Sequence, residues 1–113
     1  MNRYRLSKAG VSVGEGIRRF GGNAEKYEQL LARFQEDGHF EAMCEAIARG
    51  DAGAAFAAAH ALKGVTGNLS MNRLYQDLFP LVEALRAGSL ADAEALLAPA
   101  RQDYAELAAA LNQ

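Results

Sequence analysis

Residues 51–69 read DAGAAFAAAHALKGVTGNL, and this alanine-rich segment is the clearest helix in the sequence. Asp51 is a favourable N-cap, and no proline follows it within the segment. When successive residues are placed about 100° apart, one side of the helix is apolar. That side carries Ala55, Ala58, Leu62, Val65 and Leu69. We therefore predict a helix that packs this stripe into a core.

The opposite side of the same helix carries His60. Within about 60° of it on the helical wheel lie six further residues, and we call the seven together the His60 face. The six are Gly53, Phe56, Ala57, Lys63, Gly64 and Gly67. A glycine inside a helix costs about 1 kcal/mol relative to alanine. We interpret Gly64 and Gly67 as leaving a bare landing surface for another protein; close packing of a neighbouring helix is the alternative.

Capping residues and glycines predict further helices on the N-terminal side. Residues 1–11 are expected to be a loose lead-in. Ser12 and Glu15 have the spacing of a capping box, which predicts a short helix that stops at Gly21–Gly22. Asn23 is expected to cap the next helix.

The remaining segments also follow helical spacing. Asp37–Gly38 is expected to end the second helix, and a third covers roughly residues 40–49. Ser70 is the expected cap of the fifth helix. Ser89 opens the sixth, which Pro99 should interrupt and bend. Short connections between amphipathic helices predict an all-α protein, an antiparallel four-helix bundle with additional short N-terminal helices, forming one domain over residues 12–113.

Composition excludes several classes of protein. The sequence has 12 Lys and Arg against 14 Asp and Glu, a net charge of −2, which argues against a nucleic-acid partner. Its single cysteine, Cys44, cannot form an internal disulfide or a thiolate metal cluster, so a cytoplasmic location is expected. No apolar run is long enough to span a bilayer. No Ser, His and Asp arrangement indicates a hydrolytic triad.

The segment HALKG, residues 60–64, resembles the HxLKG signature of the histidine phosphotransfer (HPt) family. Gly67, Asn68 and Leu69 resemble the continuation found in bacterial members. GEGIRRFGGNAEKYEQLLARF, residues 14–34, is similar to the family's opening segment. The resemblance covers about residues 12–112, nearly the whole chain.

The resemblance implies a role for each matching position. His60 would be the phosphoacceptor, through the ring nitrogen farther from the backbone, and Lys63 would stabilise the phosphoryl group. Gly64 would leave space for the partner's active-site loops. With Lys63 and Gly64, the expected partner-binding residues are Phe56, Ala57 and Gly67.

Many relatives carry a Gln or Glu on the following helix that holds the other ring nitrogen of the histidine. In this sequence that position falls at Val82, which cannot form such a hydrogen bond. Glu83 is adjacent and is the candidate for orienting the His60 ring.

The function that the resemblance implies is that of a phosphocarrier, not an enzyme with its own turnover. Its partners would be a response-regulator receiver domain and a hybrid sensor histidine kinase. No intrinsic cofactor or metal is expected, since the Mg²⁺ would belong to the receiver domain; a monomer is expected, with no membrane partner.

Two other functions stay open. The first is a helical adaptor that docks on receiver domains or kinases without being phosphorylated, which the Val82 departure favours. The second is a plain helical bundle with a metal or small ligand, although His39 and His60 lack further well-placed ligands.

Overall fold

A computed structural model describes residues 1–112, and all regular structure in that range is helical. This confirms the predicted all-α class. None of the helices in the range combines the length and the apolarity needed to cross a membrane. The helices are α1 Arg3–Lys8, α2 Val13–Arg19, α3 Ala24–Phe34, α4 His39–Ala48, α5 Ala52–Asn68, α6 Asn72–Arg86 and α7 Leu90–Leu111.

The last four helices form a closed bundle. α4 packs on α5, α5 on α6 and α6 on α7, while α7 also contacts α4. The connections at residues 49–51, 69–71 and 87–89 are short, which makes consecutive helices antiparallel neighbours. The predicted four-helix bundle with additional N-terminal helices is therefore confirmed.

The predicted core stripe of α5 lies inside the bundle, apart from Val65, which is half-buried. Ala59 and Thr66 are also fully buried. The Thr66 hydroxyl donates to the carbonyl oxygen of Leu62 at 2.9 Å, so this polar group is satisfied within its own helix. Small alanines on the buried side let neighbouring helices approach α5 closely.

The prediction of a loose lead-in at residues 1–11 is wrong. The Asn2 side chain caps α1 by accepting from the backbone N–H of Arg5 at 3.0 Å. Leu6 is only 1% exposed, and Ala9 and Val11 are buried in the same core. A helix this short has little intrinsic stability and almost no periodic signal, so burial against the bundle is what stabilises it. The proposed boundary at residue 12 stays a prediction.

Ser12 stands at the N-cap position of α2, as predicted, but the predicted capping box is not formed, and the cap predicted at Ser70 is wrong. Ser12 makes no capping hydrogen bond, and Glu15 instead accepts from the Ser70 hydroxyl at 2.9 Å. Ser70 does not cap α6: it has a positive φ of 55°, and Met71 is the N-cap residue. A serine at the turn that follows α5 adopts the left-handed backbone normally favoured by glycine. The caps predicted at three other positions are confirmed, namely Asn23, Asp51 and Ser89.

Neither proline ends its helix. Pro80 lies inside α6 and Pro99 inside α7, so the predicted interruption of the last helix at Pro99 is wrong. Both prolines are exposed, and so are Gln76 and Ala95, four residues earlier. Because these positions lie at the surface, water can satisfy the backbone carbonyls that lose their helical partner.

Candidate functional site

His60 lies on the exposed side of α5, near the middle of the helix. Asp51 fixes the start of the helix, because its carboxylate accepts from the backbone N–H of Ala54 at 3.0 Å. On the other side of α5, Ala59 and Leu62 are 0% exposed. Burial of that side determines the rotation of the helix and turns His60 outward.

The C-terminal end of α5 is held by the N-terminal helices. The Tyr27 hydroxyl donates to the carbonyl oxygen of Leu69 at 2.6 Å, and the ring is fully buried. Burial, with a smaller contribution from the charge of Glu15, raises the pKa of Tyr27 to about 12. The phenol therefore remains a hydrogen-bond donor at neutral pH. The Ser12 N–H donates to the carbonyl oxygen of Ser70 at 2.9 Å, which adds a second link.

The structure brings most of the predicted site residues to one surface. Ala57, His60 and Gly64 are exposed, while Phe56 and Lys63 are half-buried beside them. A Cβ atom built at Gly64 would have no heavy atom within 4 Å. The bare surface inferred from the sequence is therefore present at Gly64.

Gly67 does not belong to that bare surface. A Cβ atom built there would lie 2.9 Å from Cε1 of Tyr75, whose ring packs over the glycine. The alternative interpretation, close packing between helices, is the correct one for this residue. The wheel of α5 could not reveal it, because Tyr75 comes from α6 and its position depends on how the two helices pack.

The Lys63 side chain of α5 lies over the aromatic ring of Phe79 on α6. The Lys63 Nζ lies 4.2 Å from the ring centroid, within the range of a cation–π contact. Phe79 is 43% exposed, so this contact lies at the surface. Tyr75 meets the ring edge-on, with centroids 5.0 Å apart. The amine that was expected to stabilise a phosphoryl group thus lies over an aromatic ring in this structure.

A second aromatic contact involves His60 itself. The rings of Phe56 and His60 are stacked, with centroids 5.7 Å apart and planes 29° from parallel. The Arg86 guanidinium lies over the Phe56 ring at 4.9 Å, and its Nε donates to Glu83 Oε2 at 3.1 Å. Arg86 was not predicted from the sequence, where its one signal is the spacing of seven residues, two turns, from Phe79 on α6.

The direct ring-orienting role predicted for Glu83 is not found. Its carboxylate is engaged with Arg86, and Val82 is 0% exposed, with its side chain in the core. Within residues 1–112, His60 has no hydrogen-bond partner. Glu83 lies on an exposed part of α6, where the guanidinium of Arg86 is a charged partner for its carboxylate.

Three cationic side chains lie on or beside the His60 face, namely Arg19, Lys63 and Arg86. A shallow cleft beside Gly64 is lined by polar side chains, among them Arg19, Lys63 and Asn68. Arg19 is 3.5 Å from Glu15, and Arg86 is paired with Glu83, so the charges are partly balanced. An anionic group that approaches His60 would meet positive charge on both sides. In residues 1–112, no cluster of three or more His, Cys, Asp or Glu side chains is placed to hold a metal ion.

Comparison with known proteins adds one finding. The family model described as Hpt domain matches residues 25–113. No curated protein and no solved structure matched the chain. The matched range includes the whole bundle from α4 to α7, and therefore also α5, the helix that presents His60. Because this match spans well over half of the sequence, the chain belongs to the Hpt domain family, the histidine phosphotransfer modules of two-component signalling.

Proposed function

We propose that this protein is a phosphocarrier that accepts a phosphoryl group on His60 and relays it to or from the aspartate of a response-regulator receiver domain. The observation that carries the proposal is an exposed histidine on α5 beside the open backbone of Gly64, in a member of the Hpt domain family. A hybrid sensor histidine kinase is the proposed upstream partner.

In the transfer step, the ring nitrogen of His60 farther from the backbone attacks the phosphorus of an aspartyl phosphate in line with the leaving oxygen. A nitrogen–phosphorus bond forms while the phosphorus–oxygen bond breaks, and the aspartate carboxylate leaves with the electron pair. The reverse step regenerates the neutral imidazole. The chain needs no cofactor of its own for this exchange, and the Mg²⁺ is expected in the partner receiver domain.

Lys63 is the proposed counter-charge for the phosphoryl group. Its ammonium lies over Phe79 in the unphosphorylated protein, and its four-carbon stem can swing toward His60 without a change in the helix. The ring thus gives the cation a defined resting place near the reaction centre. Phe56, Ala57 and Gly64 are the proposed contacts with the receiver domain.

The carrier is proposed to act as a monomer in the cytoplasm. A second copy on the His60 face would cover the ring that must react with the receiver domain. The single cysteine, half-buried on α4, fits a reducing compartment.

A non-phosphorylated adaptor is the second candidate, and buried Val82 is the observation that favours it. Such a protein would keep the docking surface but lose the group that holds the histidine ring. The two functions differ in one measurable property, which is covalent phosphate on the protein.

The experiment that tests the proposal is transfer of labelled phosphate from a panel of phosphorylated receiver domains to the wild type and to His60→Gln. The carrier predicts label on the wild type alone, acid-labile and base-stable. If the wild type binds a receiver domain but takes up no label from any donor, the phosphocarrier proposal is wrong and the adaptor function takes its place.

A further inference from the structure

The His60 ring stacks on a second ring, although it lacks a hydrogen-bond partner among residues 1–112. Phe56 precedes it by four residues, a spacing that places two side chains one above the other on a helix. Their centroid separation of 5.7 Å is within the usual range for offset aromatic stacking. Within residues 1–112, the aromatic ring that stacks on the imidazole thus comes from its own helix.

Phe56 is itself held from α6. The Arg86 guanidinium lies 4.9 Å from the Phe56 centroid, and Glu83 binds the same guanidinium through its Nε at 3.1 Å. A guanidinium over an aromatic face is attracted by the negative charge density of that face. Glu83, Arg86 and Phe56 thus form a connected series of contacts that ends at His60.

We propose that Phe56 is the positioning residue of His60, and that Arg86, held by Glu83, keeps the Phe56 ring in place. This inference rests on the proposed phosphocarrier function. Stacking replaces the hydrogen bond that Val82 cannot provide. Glu83 acts on the imidazole through two intermediate side chains and not by direct contact.

Stacking is suited to a nucleophilic imidazole. It engages the face of the ring and leaves both ring nitrogens, which lie at the edge, open to a partner. A restrained ring plane keeps the attacking lone pair near the direction needed for in-line transfer. The imidazole therefore has less orientational freedom to lose when the receiver domain docks.

The test compares single-turnover transfer from a phosphorylated receiver domain to Phe56→Leu, Phe56→Tyr and Arg86→Ala. We expect the maximal rate to fall roughly 2- to 10-fold in Phe56→Leu, the range that corresponds to loss of one aromatic pair. Arg86→Ala should show a smaller fall, and Phe56→Tyr should restore the wild-type rate. Arg86→Ala, which leaves Phe56 in place as a docking contact, should not change the half-saturating receiver concentration.

Tyr4→Leu is the matched control. Tyr4 is 70% exposed and carries the Lys8 ammonium 5.5 Å from its centroid, so it is also an aromatic ring under a cation, but it lies on α1. NMR adds a readout independent of transfer. Loss of the stacked ring in Phe56→Leu should shift the His60 ring protons, while Tyr4→Leu should leave them in place.

Three outcomes would overturn the inference. They are a wild-type maximal rate in Phe56→Leu, a change in Phe56→Leu confined to the half-saturating receiver concentration (which would make Phe56 a docking contact only), and unshifted His60 ring protons in Phe56→Leu. Failure of the proposed function is separate, because it would appear as absence of transfer to the wild type while the NMR comparison still reports the stack.

Discussion

Gly64 and Gly67 lie one turn apart on α5, yet they differ in what surrounds them. The space next to Gly64 is open, whereas the Tyr75 ring covers Gly67. The sequence pattern alone predicted that both belong to one side of α5 and that His60 points outward. It could not distinguish the two glycines, since the contact of Tyr75 depends on the register between α5 and α6. The contact of Arg86 with Phe56 was hidden for the same reason.

Substitution of each glycine by alanine should change stability in opposite directions. Gly64→Ala should raise the free energy of unfolding by about 0.5–1 kcal/mol, because alanine favours the helix and meets no neighbour. Gly67→Ala should lower it by about 1–3 kcal/mol, because the Tyr75 ring has to move. Urea denaturation of both variants measures the difference. A change of the same sign in the free energy of unfolding of both variants would contradict the packing described for Gly67.

A long side chain at Gly64 tests the landing surface without touching the core. Gly64→Gln should retain the helical circular dichroism of the wild type, and its phosphoryl transfer should slow by at least about tenfold, since a blocked approach loses the positioning of both partners. Ala95→Gln is the control, since Ala95 is exposed on α7, away from the His60 face. Equal transfer to Gly64→Gln and the wild type would remove the steric argument.

Between α6 and α7, the carboxyl group of Asp77 lies in surroundings that disfavour its charged form. Burial, and secondly the adjacent Asp103 carboxyl, raise the pKa of Asp77 to about 7, while Arg73 opposes the shift. Within residues 1–112, Asp77 Oδ2 is the one buried side-chain oxygen or nitrogen without a hydrogen-bond partner. Arg73 is itself 3.9 Å from Glu106, so its charge is shared. The leucine spacing of α6 gave no sign of this pair.

The pH dependence of stability follows from the direction of that shift. The pKa of Asp77 in the fold, about 7, lies above the ordinary value of 3.8, so folding favours the protonated form. Wild type should therefore lose stability relative to Asp77→Asn as the pH rises from about 4 to about 7, with a constant difference above that. We expect a difference of about 1–2 kcal/mol, because water still reaches part of the side chain. Thermal unfolding of both proteins across this pH range measures the difference in stability. If stability changes with pH in parallel for the two proteins, Asp77 titrates normally.

For the molecule as a whole, the sequence predicted the four-helix class correctly but missed α1. Amphipathic spacing in the long helices depends on neighbours within a few turns, so it can be recognised locally. The position of α1 depends on a contact with α7 at the far end of the chain. Within six residues, only Leu6 is buried, and one apolar position cannot reveal a helical period.

Leu6→Ala tests whether α1 belongs to the cooperative fold. It should lower the free energy of unfolding by about 2–4 kcal/mol, since it removes most of a fully buried side chain. Tyr4→Ala, on the exposed side of the same helix, should change stability by less than about 0.5 kcal/mol. Chemical denaturation distinguishes the two, and a negligible effect of Leu6→Ala would mean that α1 is only loosely attached.

The phosphoryl group is proposed to be carried on His60, and the sequence contains only one other histidine, His39. The most direct measurement is phosphorus NMR of the protein after exposure to a phosphorylated receiver domain, for wild type, His60→Gln and His39→Gln. The carrier predicts one phosphoramidate resonance in wild type and His39→Gln and none in His60→Gln. A phosphoramidate signal that persists in His60→Gln, or its absence from the wild type, would contradict the claim.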